Sequence, residues 1–350
     1  MKKTIIAVLL VLLSLVSLIA LSRLVTPKYA DGIIEGAMIA EYYKETTDHD
    51  VLLIGDCEVY ENFIPADLWN NYGINSYIRG SAEQYIAQSY YILEDSLRTE
   101  TPSVVVFNVQ SLSFSEKRSE AYNRMTLEGM RWSPSKVGAI LATMTEEESF
   151  ASYVFPLLRY HERIFDLKPT DFTYYFSVPP VSYNGYYMRV DVRPAENVPE
   201  GKPLADYSFP EESWKWLDRM ADLCREKGID LILIKAPSLY PYWYGEWDAQ
   251  VRDYAEEKGL TYINYLEIAG QIGIDYSTDT YDGGLHMNLY GAEKLTAHLG
   301  DLLTSEFHLK SRRGEEALEA VWAEKTARFE NDKAAAVAAE QEKANGEATD

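Results

Sequence analysis

The chain has 350 residues, 47% of them hydrophobic, enough for one large domain or two small ones with an ordinary core. Its 33 basic and 55 acidic residues leave a formal charge of -22 with no basic stripe, which excludes a nucleic-acid binder and predicts a solvated acidic surface. Two cysteines, Cys57 and Cys224, exclude a disulfide framework and are read as free thiols.

After Met1-Lys2-Lys3, an uncharged run rich in Leu, Val and Ile extends from Thr4 to Ser22. At about 1.5 Å per residue in a helix, it is long enough to cross a bilayer. The lysines ahead of it place the N-terminus in the cytoplasm and export the rest. The rival reading is a signal peptide cut near Ala20-Leu-Ser22, although the run exceeds a signal core of about 7–15 residues. An uncleaved single-pass membrane anchor over residues 1–27 is the preferred expectation; a cleaved one would leave a secreted protein. Either way the globular part is extracytoplasmic.

Asp31 to Tyr43 reads as a helical lead-in. Val51-Leu-Leu-Ile54 is a short strand of the buried kind, broken by Gly55, so that Asp56-Cys57 turn at the sheet's edge. Pro65 to Trp69 reads as a helical turn, Ile74 to Ile78 as a strand, Ala82 to Leu97 as a helix and Val104 to Val109 as a strand. Later come a helix from Ser213 to Lys227 closed by Gly228, a strand from Ile229 to Ile234, and a helix from Trp247 to Lys258 closed by Gly259. A strand from Thr261 to Ile263 and a helix from Ala292 to Leu303 complete the series. This alternation predicts a mostly parallel sheet covered on both faces.

Residues 112–207 interrupt the alternation and are read as an inserted subdomain or lid. Its aromatics include Trp132, Phe155, Tyr160, Phe165, Tyr174, Tyr175, Tyr183, Tyr186 and Tyr187. They either stack on sugar rings or pack the insertion's own core. Residues 28–308 then form the globular domain. Residues 309–350, rich in Ala, Glu and Lys, are read as a flexible acidic tail with few tertiary contacts.

Cys57, just past a buried strand, is either a nucleophile or a small buried core residue. Of the five histidines, His286 lies in a loop of site-like composition, Thr280-Tyr-Asp-Gly-Gly-Leu-His286, directly before the last helix. His298 and His308 read as surface residues, and His49 precedes the first strand. No histidine pair has metal-ligand spacing, so neither metal nor cofactor is expected.

In order and strand-end placement, Gly55-Asp56-Cys57, Gly80, Asn108 and the Asp/His loop resemble the blocks of SGNH/GDSL hydrolases. The resemblance is nearest to the membrane-anchored cell-envelope branch, which includes the teichoic-acid D-alanine transfer and alginate acetylation proteins. It covers about residues 48 to 305 and implies a flavodoxin-like three-layer α/β/α fold. It makes Cys57 the counterpart of the nucleophilic serine and His286 the general base. Asp282 becomes its orienting partner, with Asp279 the alternative, and Gly80, Asn108 and the Cys57 N–H the oxyanion donors. Arg79, His161 and Arg163 are candidate substrate-binding residues.

Three departures stand out. Cysteine replaces serine, Asp282 lies four rather than three residues before His286, and Val106-Phe-Asn-Val109 lacks the usual Gly and Asp. A neighbouring imidazolium is expected to lower the thiol's pKa by several units. The function implied is an esterase or acyltransferase acting on a cell-envelope glycan or acylated polymer, with a membrane acyl-transfer protein as a further partner. The alternative is an inactive SGNH-fold envelope protein that binds a glycan or an assembly partner.

Overall fold

The structure, a computed structural model, describes residues 2–28, 34–114, 117, 119–174, 176 and 178–347. The start of the expected lead-in at 31–33, Tyr175 and the end of the tail lie outside the described residues.

Helix α1 (Lys2–Val25) carries the N-terminal apolar run and is followed by α2 (Ile34–Glu41) and a 3-10 turn at Tyr42–Lys44. Strand β1 (Val51–Gly55) leads into the one-turn helix α3 (Cys57–Tyr60), then α4 (Pro65–Tyr72), β2 (Ser76–Gly80), α5 (Ile86–Ser96) and β3 (Val104–Asn108). The insertion holds α6 (Glu120–Leu127), α7 (Pro134–Thr143), α8 (Phe150–Val154), α9 (Leu157–Tyr160) and α10 (Pro169–Thr173). The alternation resumes with α11 (Glu211–Lys227), β4 (Asp230–Lys235), α12 (Gly245–Lys258), β5 (Thr261–Asn264) and α13 (Tyr265–Ile268). Last come α14 (Leu289–Ser305) and α15 (Glu316–Glu347).

The five strands form one parallel sheet in the order β2-β1-β3-β4-β5, the flavodoxin-like order. Strands buried on both faces must be apolar throughout, which is why they read as unbroken Val/Ile/Leu runs. Alternate residues serve opposite layers. Val51, Leu53, Val104, Val106, Ile232 and Ile234 face α4, α14 and α15, whereas Leu52, Ile54, Val105, Phe107, Leu231 and Leu233 face α5, α11 and α12.

Most of the insertion packs on helices, and its last part, Pro199–Lys202, reaches the strand ends. Its first helices dock on α5 and α2 through a small apolar cluster around Ile39, Ile92, Leu127 and Ile140. A buried polar set assists, in which Gln88 donates to Asn123 at 2.9 Å and Asn123 donates to Glu148 at 2.7 Å. Helices α9 and α10 pack against α1 instead. The chain then returns through the turn Asn184-Gly185, where Tyr183 and Tyr186 exchange backbone hydrogen bonds. This turn covers edge strand β2: Ile78 N–H donates to Asn184 O at 2.9 Å, and Asn184 Nδ2 donates to Ser76 O at 3.1 Å. Both turn residues have positive φ, and Asn-Gly supplies that at little cost.

The expectation of a flexible tail is overturned. Residues 316–347 form a single helix of 32 residues, and Leu318, Trp322 and Phe329 on one of its faces are buried in the core layer. Trp322 stacks on Trp69 with centroids 5.4 Å apart and rings within 7° of parallel, and its Nε1–H donates to Asn75 at 3.0 Å. Few large apolar residues suffice because they share one face at helical spacing. Trp322→Ala is expected to cost about 3–5 kcal/mol, the range for a large buried aromatic. Chemical denaturation of the variant checks this, and an unchanged midpoint would return the helix to the status of a loose tail.

Candidate active site

The crevice beyond the carboxyl ends of parallel strands, where strand order reverses, is the general ligand site of such sheets. Here that point lies between β1 and β3. A cleft of about 570 Å³ opens there, lined by Asp56, Cys57 and Glu58 after β1, and Gln110 and Phe114 after β3. Tyr240–Tyr244 after β4, Leu285, and Pro199–Lys202 from the end of the insertion complete its wall.

Cys57 begins α3, and Asp56 caps it by accepting from Glu58 N–H at 3.1 Å. The thiol is half-buried and borders the cleft. Gly80, paired with Gly55 across the sheet, lets β2 run close beneath this turn. A Cβ on Gly80 would stand 3.0 Å from Gly55 O and 3.2 Å from Asp56 O.

The candidate base comes from the loop before α14. His286 Nδ1–H donates to Asp282 Oδ2 at 2.7 Å, while the backbone N–H groups of His286 and Leu285 donate to Asp282 Oδ1 at 2.9 and 3.1 Å. Asp282, rather than Asp279, is therefore the carboxylate that holds the His286 ring. Asp279 instead pairs with Lys294 Nζ at 2.5 Å and accepts from Asp275 N–H at 2.8 Å. The four-residue spacing works because Gly284, at φ +106, folds the loop back so that its carbonyl accepts from Leu239 N–H at 2.7 Å.

Two residues that sequence reasoning missed complete the base's surroundings. Glu61 Oε2 lies 3.3 Å from His286 Nδ1 and accepts from the Tyr281 hydroxyl. Tyr281 stacks on the imidazole at 6.0 Å and 13°. Glu61 stands four residues after Cys57, a spacing that would have placed both on one helical face.

The Cys57 thiol lies against the imidazole, close enough for each charge to shift the other. Nε2, the nitrogen that Asp282 does not hold, is buried and makes no hydrogen bond of good geometry. The thiol–imidazole contact is thus a loose one, as is common in free enzymes. Burial pushes the Cys57 thiol up to about 12, the His286 charge pulling it down and Asp56 and Glu61 pushing it further up. This runs against the expected low-pKa thiolate: in a dry and acidic setting an anion is disfavoured. Burial also works to lower the imidazole's pKa, whereas a charged Cys57 first, then Asp282 and Glu61, raise it, so that ionisation of the thiol and protonation of His286 favour each other.

Beneath the turn sits a buried charged cluster. Lys235 Nζ, at the end of β4, donates to both Glu58 oxygens at 3.1 and 3.0 Å. Asn108 Nδ2 donates to Asp56 Oδ1 at 3.1 Å and Glu58 Oε2 at 2.9 Å, and Asn108 Oδ1 accepts from Ala236 N–H at 3.2 Å. The Asn108 amide is therefore committed to carboxylates and does not serve as a free oxyanion donor. Gln110, two residues on, borders the cleft with its Oε1 unpartnered. Lys235 and Glu58 are also absent from the residues found by sequence, although a lysine ending the run Leu-Ile-Leu-Ile is an anomaly that calls for a buried partner.

The three residues expected to bind substrate are not in the cleft. Arg79 is fully buried on the other side of β2. It donates to Ser96 at 2.7 Å and Tyr43 at 3.2 Å, and its guanidinium lies 3.9 Å from the centre of the Tyr42 ring. Arg163 pairs with Asp171 at 2.9 Å and reaches the carbonyls of Val25 and Thr26, tying the insertion to α1. His161 is exposed beside it. Among the described residues, no group of three His, Cys, Asp or Glu side chains is arranged to hold a metal ion.

No protein-family model matches the chain, and no curated protein is significantly similar to it.

Two predictions follow from the electrostatics. Burial first, and the Glu58 charge second, push the Asp56 carboxyl up to about 7. Between its ordinary pKa of about 4 and that value, the native state holds a proton that the unfolded chain releases, so this group's contribution to stability falls as pH rises. Asp56→Asn keeps the capping oxygen, and it is expected to gain stability relative to wild type from pH 4 to 7 in denaturant titrations. Parallel curves for the two proteins would exclude a raised Asp56.

In a Cys224→Ala background, iodoacetamide should label Cys57 slowly at pH 7 and faster through the alkaline range. His286→Ala should be slower at every pH, since the charge that pulls the thiol down is gone. Rapid labelling at pH 6 would instead indicate a preformed thiolate–imidazolium pair.

Proposed function

We propose that the chain is a membrane-anchored, extracytoplasmic SGNH/GDSL-like esterase or acyltransferase that acts on a cell-envelope carbohydrate. The observation that carries this reading is the approach of the Asp282-held His286 imidazole to Cys57, from two loops far apart in sequence, with Cys57 bordering the cleft where the strand order reverses. The 18-residue apolar stretch of α1, none of it buried, supports the anchor.

In the proposed reaction, His286 Nε2 takes the Cys57 proton as sulfur attacks the acyl carbonyl. The C–S bond forms, the ester C–O bond breaks, and His286 returns the proton to the departing alcohol. A glycan hydroxyl or water then attacks the thioester, again losing its proton to His286, and the thiol is restored. Asp282 holds Nδ1–H, which leaves Nε2 as the nitrogen available to the thiol proton. With the thiol's pKa so high, proton transfer must accompany attack. A membrane acyl-transfer partner would supply the acyl group.

Two observations favour a second reading, an inactive envelope protein that binds a glycan or an assembly partner in the same cleft. Burial pushes the Cys57 thiol's pKa up, and Asn108 is occupied. The test is acylation of the full chain by p-nitrophenyl acetate. The catalytic reading expects one acetyl group on Cys57 by intact and peptide mass, none in Cys57→Ala, and a loss of about 10²–10⁴-fold in rate in His286→Ala. Absence of the adduct and of turnover, with glycan binding unchanged in Cys57→Ala, would leave the binding reading.

A further inference from the structure

The insertion carries large apolar side chains that face solvent where soluble domains rarely place them. Phe165 is 88% exposed and Phe176 92%, and Phe155, Leu158, Ile164 and Phe172 are also exposed. Phe155 and Leu158 share a groove with the C-terminal half of α1, and the helical turns that carry Ile164, Phe165 and Phe172 pack against that helix. Leu157 N–H donates to Ser22 Oγ at 3.2 Å, Arg163 reaches the carbonyls of Val25 and Thr26, and α9 and α10 both touch α1. An apolar groove of about 630 Å³ lies between them, walled on one side by Leu15, Leu18 and Ile19 and on the other by Trp132, Phe155 and Leu158.

We infer that the helical insertion is seated in the outer leaflet of the bilayer that α1 crosses. This rests on the reading of α1 as a membrane span. A hydrocarbon core about 30 Å thick takes up about 20 helical residues, so counting from Lys3 the outer boundary falls near Arg23. Arg23 is the basic residue in the last turn of α1 and borders the groove, where a cation marks the interface. The groove extends from that level back to Leu15, eight residues or roughly 12 Å along the helix axis towards the bilayer centre. The insertion side chains that wall it therefore lie below the headgroups.

Lipid is the occupant that fits. The exposed phenylalanines continue the uncovered apolar surface of α1 itself, and contiguous apolar patches of this kind mark membrane or partner surfaces. Trp132 has the amphipathic ring that favours the membrane–water boundary. Seating the insertion this way gives the catalytic domain a fixed orientation over the membrane, which a single helix on a flexible linker would not.

The test uses the full chain, with Cys57→Ser and Cys224→Ala, in nanodiscs of phosphatidylcholine and phosphatidylglycerol with or without brominated acyl chains. An NBD fluorophore is placed in turn at Phe165→Cys, Phe176→Cys, Leu13→Cys within α1, and Asp206→Cys on the exposed surface. Bromolipid is expected to quench NBD at 13, 165 and 176, while aqueous iodide quenches it only at 206. If position 13 is quenched by bromolipid but 165 and 176 are quenched by iodide, α1 remains a span and the seating of the insertion is refuted; its patch is then a surface for a protein partner. If bromolipid quenches none of them, the anchor itself is refuted and the inference falls with it.

Discussion

Three central strands of the sheet end on one buried ion pair. Glu58 follows β1, Lys235 closes β4, and Asn108 closes β3 and bridges to Asp56 and Glu58, so four side chains nearly sealed from solvent bind the strand ends to one another. Taking two charges out of water costs several kcal/mol per ion, which is recovered only if geometry and hydrogen bonding are complete. Both Glu58 oxygens face Lys235, and the lysine's other contact is the carbonyl of Ala236 at 2.8 Å. Such a pair adds little net stability over an apolar core. What it adds is a position, because Glu58 is the next residue after Cys57 and cannot shift without leaving a charge unpaired in a low dielectric.

The same arrangement sets the chemistry of the thiol. Asp56, Glu58 and Glu61 flank Cys57 within one helical turn, and Lys235, the cation nearest to balance them, is already bound to Glu58. A thiolate in that setting is opposed by burial and by like charge, and His286 opposes neither strongly enough to bring the thiol into the neutral range. The resting site is thus a neutral thiol beside a histidine whose proton is held by Asp282 and Glu61.

What the sequence revealed follows from the range of the forces involved. Strands are local runs, and Val51–Ile54, Val104–Asn108 and Leu231–Ile234 were legible because burial on both faces demands unbroken apolar residues. Cys57, His286 and Asp282 were legible because each sits at a strand or loop end of distinctive composition. The Lys235–Glu58 pair spans 177 residues and carries no local mark, so the occupation of Asn108 could not be foreseen. Arg79 misled because a charged residue near a site block suggests a ligand, whereas its partners are Tyr42, Tyr43 and Ser96 behind the strand. The last helix misled through composition. Averaged over its length it is polar, and only the spacing of Leu318, Trp322 and Phe329 shows the buried face. Asn184-Gly185 is a local hairpin signal that periodicity alone passes over.

The insertion joins these elements into one mechanical unit. Its first part is fixed to α5 by buried hydrogen bonds, its middle grips the end of α1, and its last part runs beside the base loop before lining the cleft. Along that last stretch Tyr187 N–H donates to Tyr60 O at 2.8 Å and Leu289 N–H to Arg189 O at 2.6 Å, while the Arg189 guanidinium lies 4.1 Å from the centre of the Tyr281 ring. Tyr281 in turn stacks on His286. A displacement of the insertion relative to the sheet would therefore move the imidazole as well as the wall at Pro199–Lys202. The part of the insertion that touches α1 and the part that packs on the His286 loop thus belong to one stretch of chain, and contacts at both ends tie it to the sheet domain.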